Sequence, residues 1–214
     1  MLDSLRQLLG RIQPPVALEG EVRGRTWRMA SGTPTRDYIR GRELRGKAEL
    51  GLDPGVSVLV ISRALKASLE KAAYDRYIDA DQTMADLRMP EEMRWLATFE
   101  EIRGPEFARD FLRRYAVMAD FRAHPLAWIQ PELERLMVEW PAPAPSEAVP
   151  FMLMLLRGNC YLRMQHEPSS ARMARHASEI FALACELALD RLPVVNAAAG
   201  DQPPRVTGGS APRP

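Results

Sequence analysis

The chain has 214 residues, of which 46% are hydrophobic and 27% are charged, and its formal net charge at pH 7 is +1. This balance is typical of a globular protein with one sizeable core, and it argues against a uniformly basic nucleic-acid-binding protein. Only two cysteines are present. They are too few for a small disulfide scaffold and favour a reducing compartment.

The start of the chain reads MLDSLRQLLGRIQPP, with leucines at helical spacing and two prolines behind them. This pattern predicts a short amphipathic helix over residues 2–12 and does not resemble a signal peptide. The longest strongly apolar run, VPFMLMLL at 149–156, is too short to span a bilayer. We therefore expect a cytoplasmic protein without a membrane segment, and the many Ala, Pro and Arg suggest a bacterial source.

A small α/β unit is predicted next. Apolar residues near alternation, with Gly24 between them, predict a β-hairpin over about residues 16–30. The segment GRELRGKAEL, residues 41–50, suggests a short helix weakened by its glycines. The β-branched run VSVLVIS predicts a strand over 56–62. Residues 1–62 thus form a small N-terminal subdomain in this interpretation.

From residue 62 onward the sequence predicts helix after helix. Ser62 is suited to cap the first of them, and prolines predict further helix starts at Pro90, Pro105 and Pro131. The helix after Pro105 is expected to continue as far as Met118, because its apolar residues keep a helical spacing.

Two long apolar helices are predicted to close the fold. The first runs from about 146 to 165, and the second begins near Ser169 and Ser170, so that the pair forms an antiparallel hairpin. The predicted fold class is mainly α (α+β): an irregular helical bundle over 63–192 beside the small N-terminal β-hairpin and strand subdomain. The Gly- and Pro-rich segment 193–214 is predicted to be a disordered tail.

The motifs of known chemistry are absent from the sequence. It contains no P-loop, no dinucleotide fingerprint, no nucleophile elbow and no zinc-protease motif. Cys160, Cys185, His166 and His176 lack the close paired spacing of zinc ligands, and two buried thiols are the simpler interpretation. The sequence predicts no catalytic residues, no metal site and no cofactor.

One segment stands out by its charge. Residues 23–47 hold eight basic side chains against the acids Asp37 and Glu43, and two aromatic residues lie among them. The pattern predicts a positive surface that binds a polyanion or a partner protein. Its candidate residues are Arg23, Arg25, Trp27, Arg28, Arg36, Tyr38, Arg40, Arg42, Arg45 and Lys47.

Three functions remain open at this stage. The leading hypothesis is a non-enzymatic protein-binding factor, such as an adaptor, a chaperone or an inhibitor, acting through helical and charged surfaces on another protein or on a second copy as a homodimer. The alternative is a DNA- or RNA-associated accessory or regulatory protein that uses the 23–47 surface. The third is an enzyme of unrecognised type built on the acidic segment 75–92, which we consider the weakest because no set of convergent groups supports it.

Overall fold

The computed structural model describes residues 16–79, 91–142, 144–167 and 170–195. Its centre is one antiparallel sheet of eight strands in the order β1-β2-β3-β8-β7-β4-β6-β5. The strands are β1 Ala17–Val22, β2 Arg25–Gly32, β3 Arg42–Glu49, β4 Val58–Ser62, β5 Glu100–Glu101, β6 Tyr115–Ala119, β7 Phe151–Leu156 and β8 Asn159–His166. The helices are α1 Arg63–Asp79, α2 Glu91–Thr98, α3 Arg109–Arg114, α4 Ala123–Trp128, α5 Pro131–Val138 and α6 Ala171–Arg191.

Two hairpins with the same turn geometry supply four of the eight strands. The β1–β2 hairpin turns at Arg23 and Gly24, with φ of 52° and 75°, and the β7–β8 hairpin turns at Arg157 and Gly158, with φ of 51° and 78°. Two consecutive positive φ angles are the geometry of the tight turn that matches the twist of paired strands. Glycine in the second position relieves the strain at one of the two residues.

The sheet joins the two ends of the described chain. β3 pairs antiparallel with β8, and β4 lies between β6 and β7. The N-terminal hairpin and the segment after residue 150 are therefore parts of the same sheet. Strands β4, β6 and β7 are almost entirely buried, because helices cover both of their faces.

The sheet separates two hydrophobic cores. Val58 and Val60 of β4 belong to the larger core, which contains α6 and residues of α3, α4 and α5, whereas Leu59 and Ile61 belong to the smaller core under α1 and α2. This split follows from the alternation of side chains along a strand. The larger core extends under β1, β2, β3 and β8, but the smaller one is centred on β4, β6 and β7.

Helix α6 is capped at its start and packs against the sheet along its length. The Ser170 hydroxyl accepts a hydrogen bond from the Met173 amide, which confirms the predicted cap. Phe181 packs over Gly46 of β3, where a Cβ atom would lie 3.2 Å from the ring. The buried indole of Trp128 donates a hydrogen bond of 2.8 Å to the carbonyl of Ala184, which ties α4 to the same helix.

The predicted helical bundle is wrong, because the protein is organised around a sheet. The helix expected over 146–165 is instead the β7–β8 hairpin, and its two strands pass through the middle of the sheet. Strand β7 is apolar at every position since it is buried on both faces, so its sequence has no alternation that would distinguish it from a helix.

Two further helix predictions are also corrected. Residues expected to form a short helix at 41–50 form β3, whose buried and exposed positions alternate. The helix expected to reach Met118 ends at Arg114, and β6 begins at the next residue. The predicted helix at 2–12 and nearly all of the predicted tail lie outside the described residues, although Val194 pairs with Leu52.

Candidate binding face of the sheet

The strands β1, β2, β3 and β8 have two different faces. Their inward side chains pack against α6, whereas most of their outward side chains are exposed or half-buried. The helices on the outward side pack on β4, β6 and β7. Within the described part of the chain they leave β1, β2, most of β3 and the adjoining side of β8 uncovered, and Glu43 of β3 is the buried exception. We call this uncovered side of the four strands the open face.

The strand register arranges cations in two neighbouring rows on the open face. In one row Arg28 lies opposite Lys47, and in the next Arg45 lies opposite Arg163. Like charges directly opposite each other across an antiparallel pair destabilise a sheet. Two such pairs side by side therefore form a surface on which a bound anion would relieve repulsion.

A shallow groove runs across these rows. Its volume is about 340 Å³, and it is lined by the four cations together with Tyr161 and Met154, which pair with each other between β8 and β7. Tyr161 also lies directly opposite Lys47. The groove thus combines positive charge with an aromatic and a thioether surface, a mixture that suits a peptide better than a free inorganic ion.

Exposed acids balance part of this charge. Lys47 Nζ lies 2.7 Å from Glu49 Oε1, and Arg28 Nε lies 4.0 Å from Glu19 Oε2. The hydrogen bond from Lys47 to Glu49 raises the pKa of the lysine, so it stays charged at neutral pH. Arg45 makes no ion pair with any described residue. Exposed pairs of this kind are weak, so an external carboxylate could replace them.

Two buried carboxylates lie beyond the end of the groove. Glu43 of β3 is fully buried, and its Oε2 accepts hydrogen bonds from the amide and hydroxyl of Thr35, at 2.7 and 2.9 Å. Its Oε1 lies 3.1 Å from Nε of Arg163. A buried carboxylate needs such partners, because burial without them carries a large desolvation cost.

The second carboxylate, Glu92, comes from the first turn of α2 and is 2% exposed. Its Oε1 accepts hydrogen bonds from the Arg36 guanidinium, from the Tyr38 hydroxyl at 3.2 Å and from Nη1 of Arg163 at 3.4 Å. Burial, and then the charge of Glu92, raise the pKa of the Tyr38 hydroxyl, which therefore remains a donor. Arg163 is thus shared between the groove and this ion cluster.

The structure brings three of the predicted surface residues together: Arg28, Arg45 and Lys47 project from the open face. Arg36 and Tyr38 lie close by, in the ion cluster around Glu92. These five residues belong to one continuous region at the groove.

The other five predicted residues lie elsewhere. Arg23 reaches Asp190 of α6 at 2.8 Å, and Trp27 is buried against Phe181 on the opposite side of the sheet. Arg42 donates to the carbonyl of Ser31 at 3.2 Å. Arg25 lies beside Gly51, and Arg40 is exposed in the loop before β3.

Sequence reasoning missed Tyr161 and Arg163, because it placed them in a helix. The segment NCYLRMQH alternates between small or apolar and polar residues and follows an Arg-Gly pair. That alternation, together with the glycine turn, is the signal that could have identified β8.

The remaining candidate chemistry is sparse. No group of three or more His, Cys, Asp or Glu that could hold a metal ion occurs among the described residues. Most of the acidic segment 75–92 lies outside them. Cys160 of β8 and Cys185 of α6 are both fully buried free thiols, and Cys185 is near enough to contribute to the raised pKa of Cys160. Within the described ranges, no helix has both the length and the apolar composition needed to cross a membrane.

Comparison of the chain with known protein families, with curated proteins and with solved structures gives no match. The geometry of the open face is therefore the basis for assigning a function.

Proposed function

We propose that this protein is a non-enzymatic binding factor that takes an acidic segment of a partner protein into the groove of its open face. The observation that carries the proposal is the pair of like-charged rows, Arg28 with Lys47 and Arg45 with Arg163, beside the apolar surface of Tyr161. Such a factor acts as an adaptor, a chaperone or an inhibitor by occupying its partner. We place it in the cytoplasm, since both cysteines are free thiols.

Charge around the groove favours a protein partner over a nucleic acid. The open face also carries Glu19, Glu21 and Glu49 at exposed positions. A continuous phosphate backbone crossing this face would meet these acids, whereas a short run of carboxylates can be placed over the cations alone. A half-buried tyrosine among cations does suit base stacking, so nucleic acid is the competitor that the experiment must include.

The test is a binding titration with a fluorescein-labelled peptide of eight glutamates, followed by fluorescence anisotropy at low and high salt. We expect saturable binding that weakens with salt, because exposed charges are screened. A peptide of eight glutamines serves as the neutral control. The double variant Arg45→Ala/Lys47→Ala should bind about tenfold more weakly, which corresponds to about 1.4 kcal/mol.

A matched variant controls for the loss of overall charge. Arg109→Ala/Arg113→Ala removes two exposed cations from α3, away from the open face, and should bind as the wild type does. Equal weakening of both double variants, or no binding by the wild type, would contradict the proposal. Tighter binding of a labelled single-stranded oligonucleotide than of the peptide, lost in the Arg45/Lys47 variant, would favour the nucleic-acid alternative.

A further inference from the structure

Arg163 connects the groove to helix α2. Its side chain lines the groove from β8, but it is only 18% exposed because it turns toward the buried carboxylates. There its Nε lies 3.1 Å from Glu43 and its Nη1 lies 3.4 Å from Glu92. One guanidinium therefore contacts both the groove and the ion cluster.

The ion cluster is one of two anchors of helix α2; the other is the smaller hydrophobic core, which contains Met93 and against which Trp95 and Leu96 pack. Of its eight residues only Glu92 and Met93 are buried. Glu92 Oε1 receives all the hydrogen bonds that reach this carboxylate from described residues, whereas its buried Oε2 has no partner among them. The loss of Arg163 would leave Glu92 with Arg36 and Tyr38 only, so a buried carboxylate would be undersatisfied.

An anion in the groove competes for the same guanidinium. A carboxylate bound beside Arg45 would draw Arg163 toward itself, since the two arginines lie directly opposite each other across β3 and β8. Conversely, when Glu92 is withdrawn, Arg163 keeps its contact with Glu43 through Nε, but its Nη1 can turn to the groove ligand. Coupling of this kind is reciprocal.

We propose that Arg163 is a shared ligand of the groove and of α2, so that an acidic segment bound in the groove loosens α2, and loosening of α2 strengthens binding in the groove. This inference rests on the proposed function, because it assumes that the groove accepts an acidic segment. It adds a regulated element, α2, to what would otherwise be a static surface.

The first test uses two neighbouring glutamates of α2 and the labelled octaglutamate peptide. Glu92→Gln should tighten binding about fivefold, which lies at the lower end of ordinary coupling, because the amide holds Arg163 less strongly. Glu91→Gln is the matched control: it removes the same charge from the same turn, but Glu91 pairs with the exposed Arg157 at 3.0 Å. If both substitutions changed the affinity for the peptide equally, the coupling would be wrong, and the peptide would be responding only to the overall charge of this region.

The second test is hydrogen–deuterium exchange of the full chain, which reads α2 directly. In the wild type, saturating peptide should raise amide exchange in residues 91–98 and leave α1 unchanged. Without peptide, Arg163→Met should raise exchange in the same residues, whereas Arg45→Met should not, because Arg45 does not contact Glu92.

The outcomes separate the two proposals. If the peptide binds but exchange in α2 is insensitive both to the peptide and to Arg163→Met, the shared-arginine inference is wrong and the proposed function stands. If no variant binds the peptide, the proposed function is wrong, and the coupling to an acidic ligand falls with it.

Discussion

Glu101 offers a quantitative test of the fold, because three cations converge on it. Its Oε1 lies 2.7 Å from Arg103 Nε and 3.1 Å from Arg63 Nη1, and its Oε2 lies 3.3 Å from Lys66 Nζ. The hydrogen bond from Arg103, together with Arg63 and Lys66 and against the opposing effect of burial, lowers the pKa of this carboxyl to about 2. The contacts link β5 to α1, two elements that are far apart in the sequence.

The size of the effect follows from the pKa. A shift from the ordinary value of 4.5 to about 2 corresponds to at most ~3 kcal/mol of stabilisation of the folded state. Solvent screening reduces this, since Arg103 is 69% exposed. We therefore expect Glu101→Gln to lower the free energy of unfolding by about 1–2 kcal/mol at pH 7. The folded pKa is depressed, so the stabilisation is present above pH 4.5 and is lost as the pH falls toward 2.

The assay is urea unfolding of the wild type and of Glu101→Gln at pH 7 and at pH 3, followed by circular dichroism. The difference in the free energy of unfolding between the two proteins should narrow at pH 3. At that pH the carboxyl of the unfolded wild type, with its ordinary pKa of 4.5, takes up a proton that the folded protein, with a pKa of about 2, does not bind. Glu106→Gln is the control: its partner Arg122 lies at 2.8 Å, but both side chains are about half exposed, so this substitution should change the free energy of unfolding less than Glu101→Gln does. If the free energies of unfolding of the wild type and Glu101→Gln differed by the same amount at both pH values, an electrostatic origin of the stabilisation would be refuted.

Three other predictions test the packing and the buried titratable groups. Gly46→Val should lower the free energy of unfolding by about 1–3 kcal/mol in the same urea assay, despite the strand preference of valine. The reason is that a Cβ atom at this position would lie 3.2 Å from the Phe181 ring. Unchanged stability would contradict the close approach of α6 to β3. Burial raises the pKa of the Cys160 thiol, and its neighbour Cys185 is equally buried. A disulfide-exchange reagent should therefore label neither thiol in the native protein and both in denaturant. Rapid labelling of the native protein would contradict the packing. Burial, and next the charge of Arg42, lower the pKa of His166. The folded protein should therefore lose stability as the pH falls below the ordinary imidazole pKa of about 6.5. His166→Leu should reduce that loss, and urea unfolding of both proteins at pH 7.5 and pH 5.5 measures the difference.

Local signals in the sequence identify several elements well. The Ser170 cap and the proline at the start of α5 predict helix starts that the structure has. These signals work because capping and proline geometry involve only neighbouring residues. Strand β4 also lies within the segment that its β-branched run predicts.

Tertiary context decides the elements that the sequence misassigned. Strand β7 is apolar at all six positions because two cores cover it, and an apolar run without alternation does not distinguish a buried strand from a buried helix. Strand β8 carried a readable alternation, but its assignment to a helix with β7 concealed it. That error placed Tyr161 and Arg163 away from the basic segment, so only half of the groove was predictable.

The candidate surface, too, was only partly predictable from the sequence. Arg28, Arg45 and Lys47 were identified from charge density alone, and they do share one face. Trp27, which lies next to Arg28, is on the other face because successive side chains of a strand alternate. Which cations lie opposite each other depends on the register of β2, β3 and β8, and the sequence does not specify that register before the pairing of the strands is known.

The edge of the sheet bears on whether the partner is a second copy of this chain. β1 ends the sheet in the strand order and exposes Glu19 and Glu21 on the open face. If two copies joined their β1 strands antiparallel about a two-fold axis normal to the sheet, glutamates on the same face would lie opposite or diagonal to one another, and like charges so placed destabilise a strand pair. A symmetric extension of the sheet is therefore disfavoured at this edge. The same two acids lie beside the cationic rows, so under the proposed function the acidic segment of a ligand would lie over β2, β3 and β8 rather than over β1.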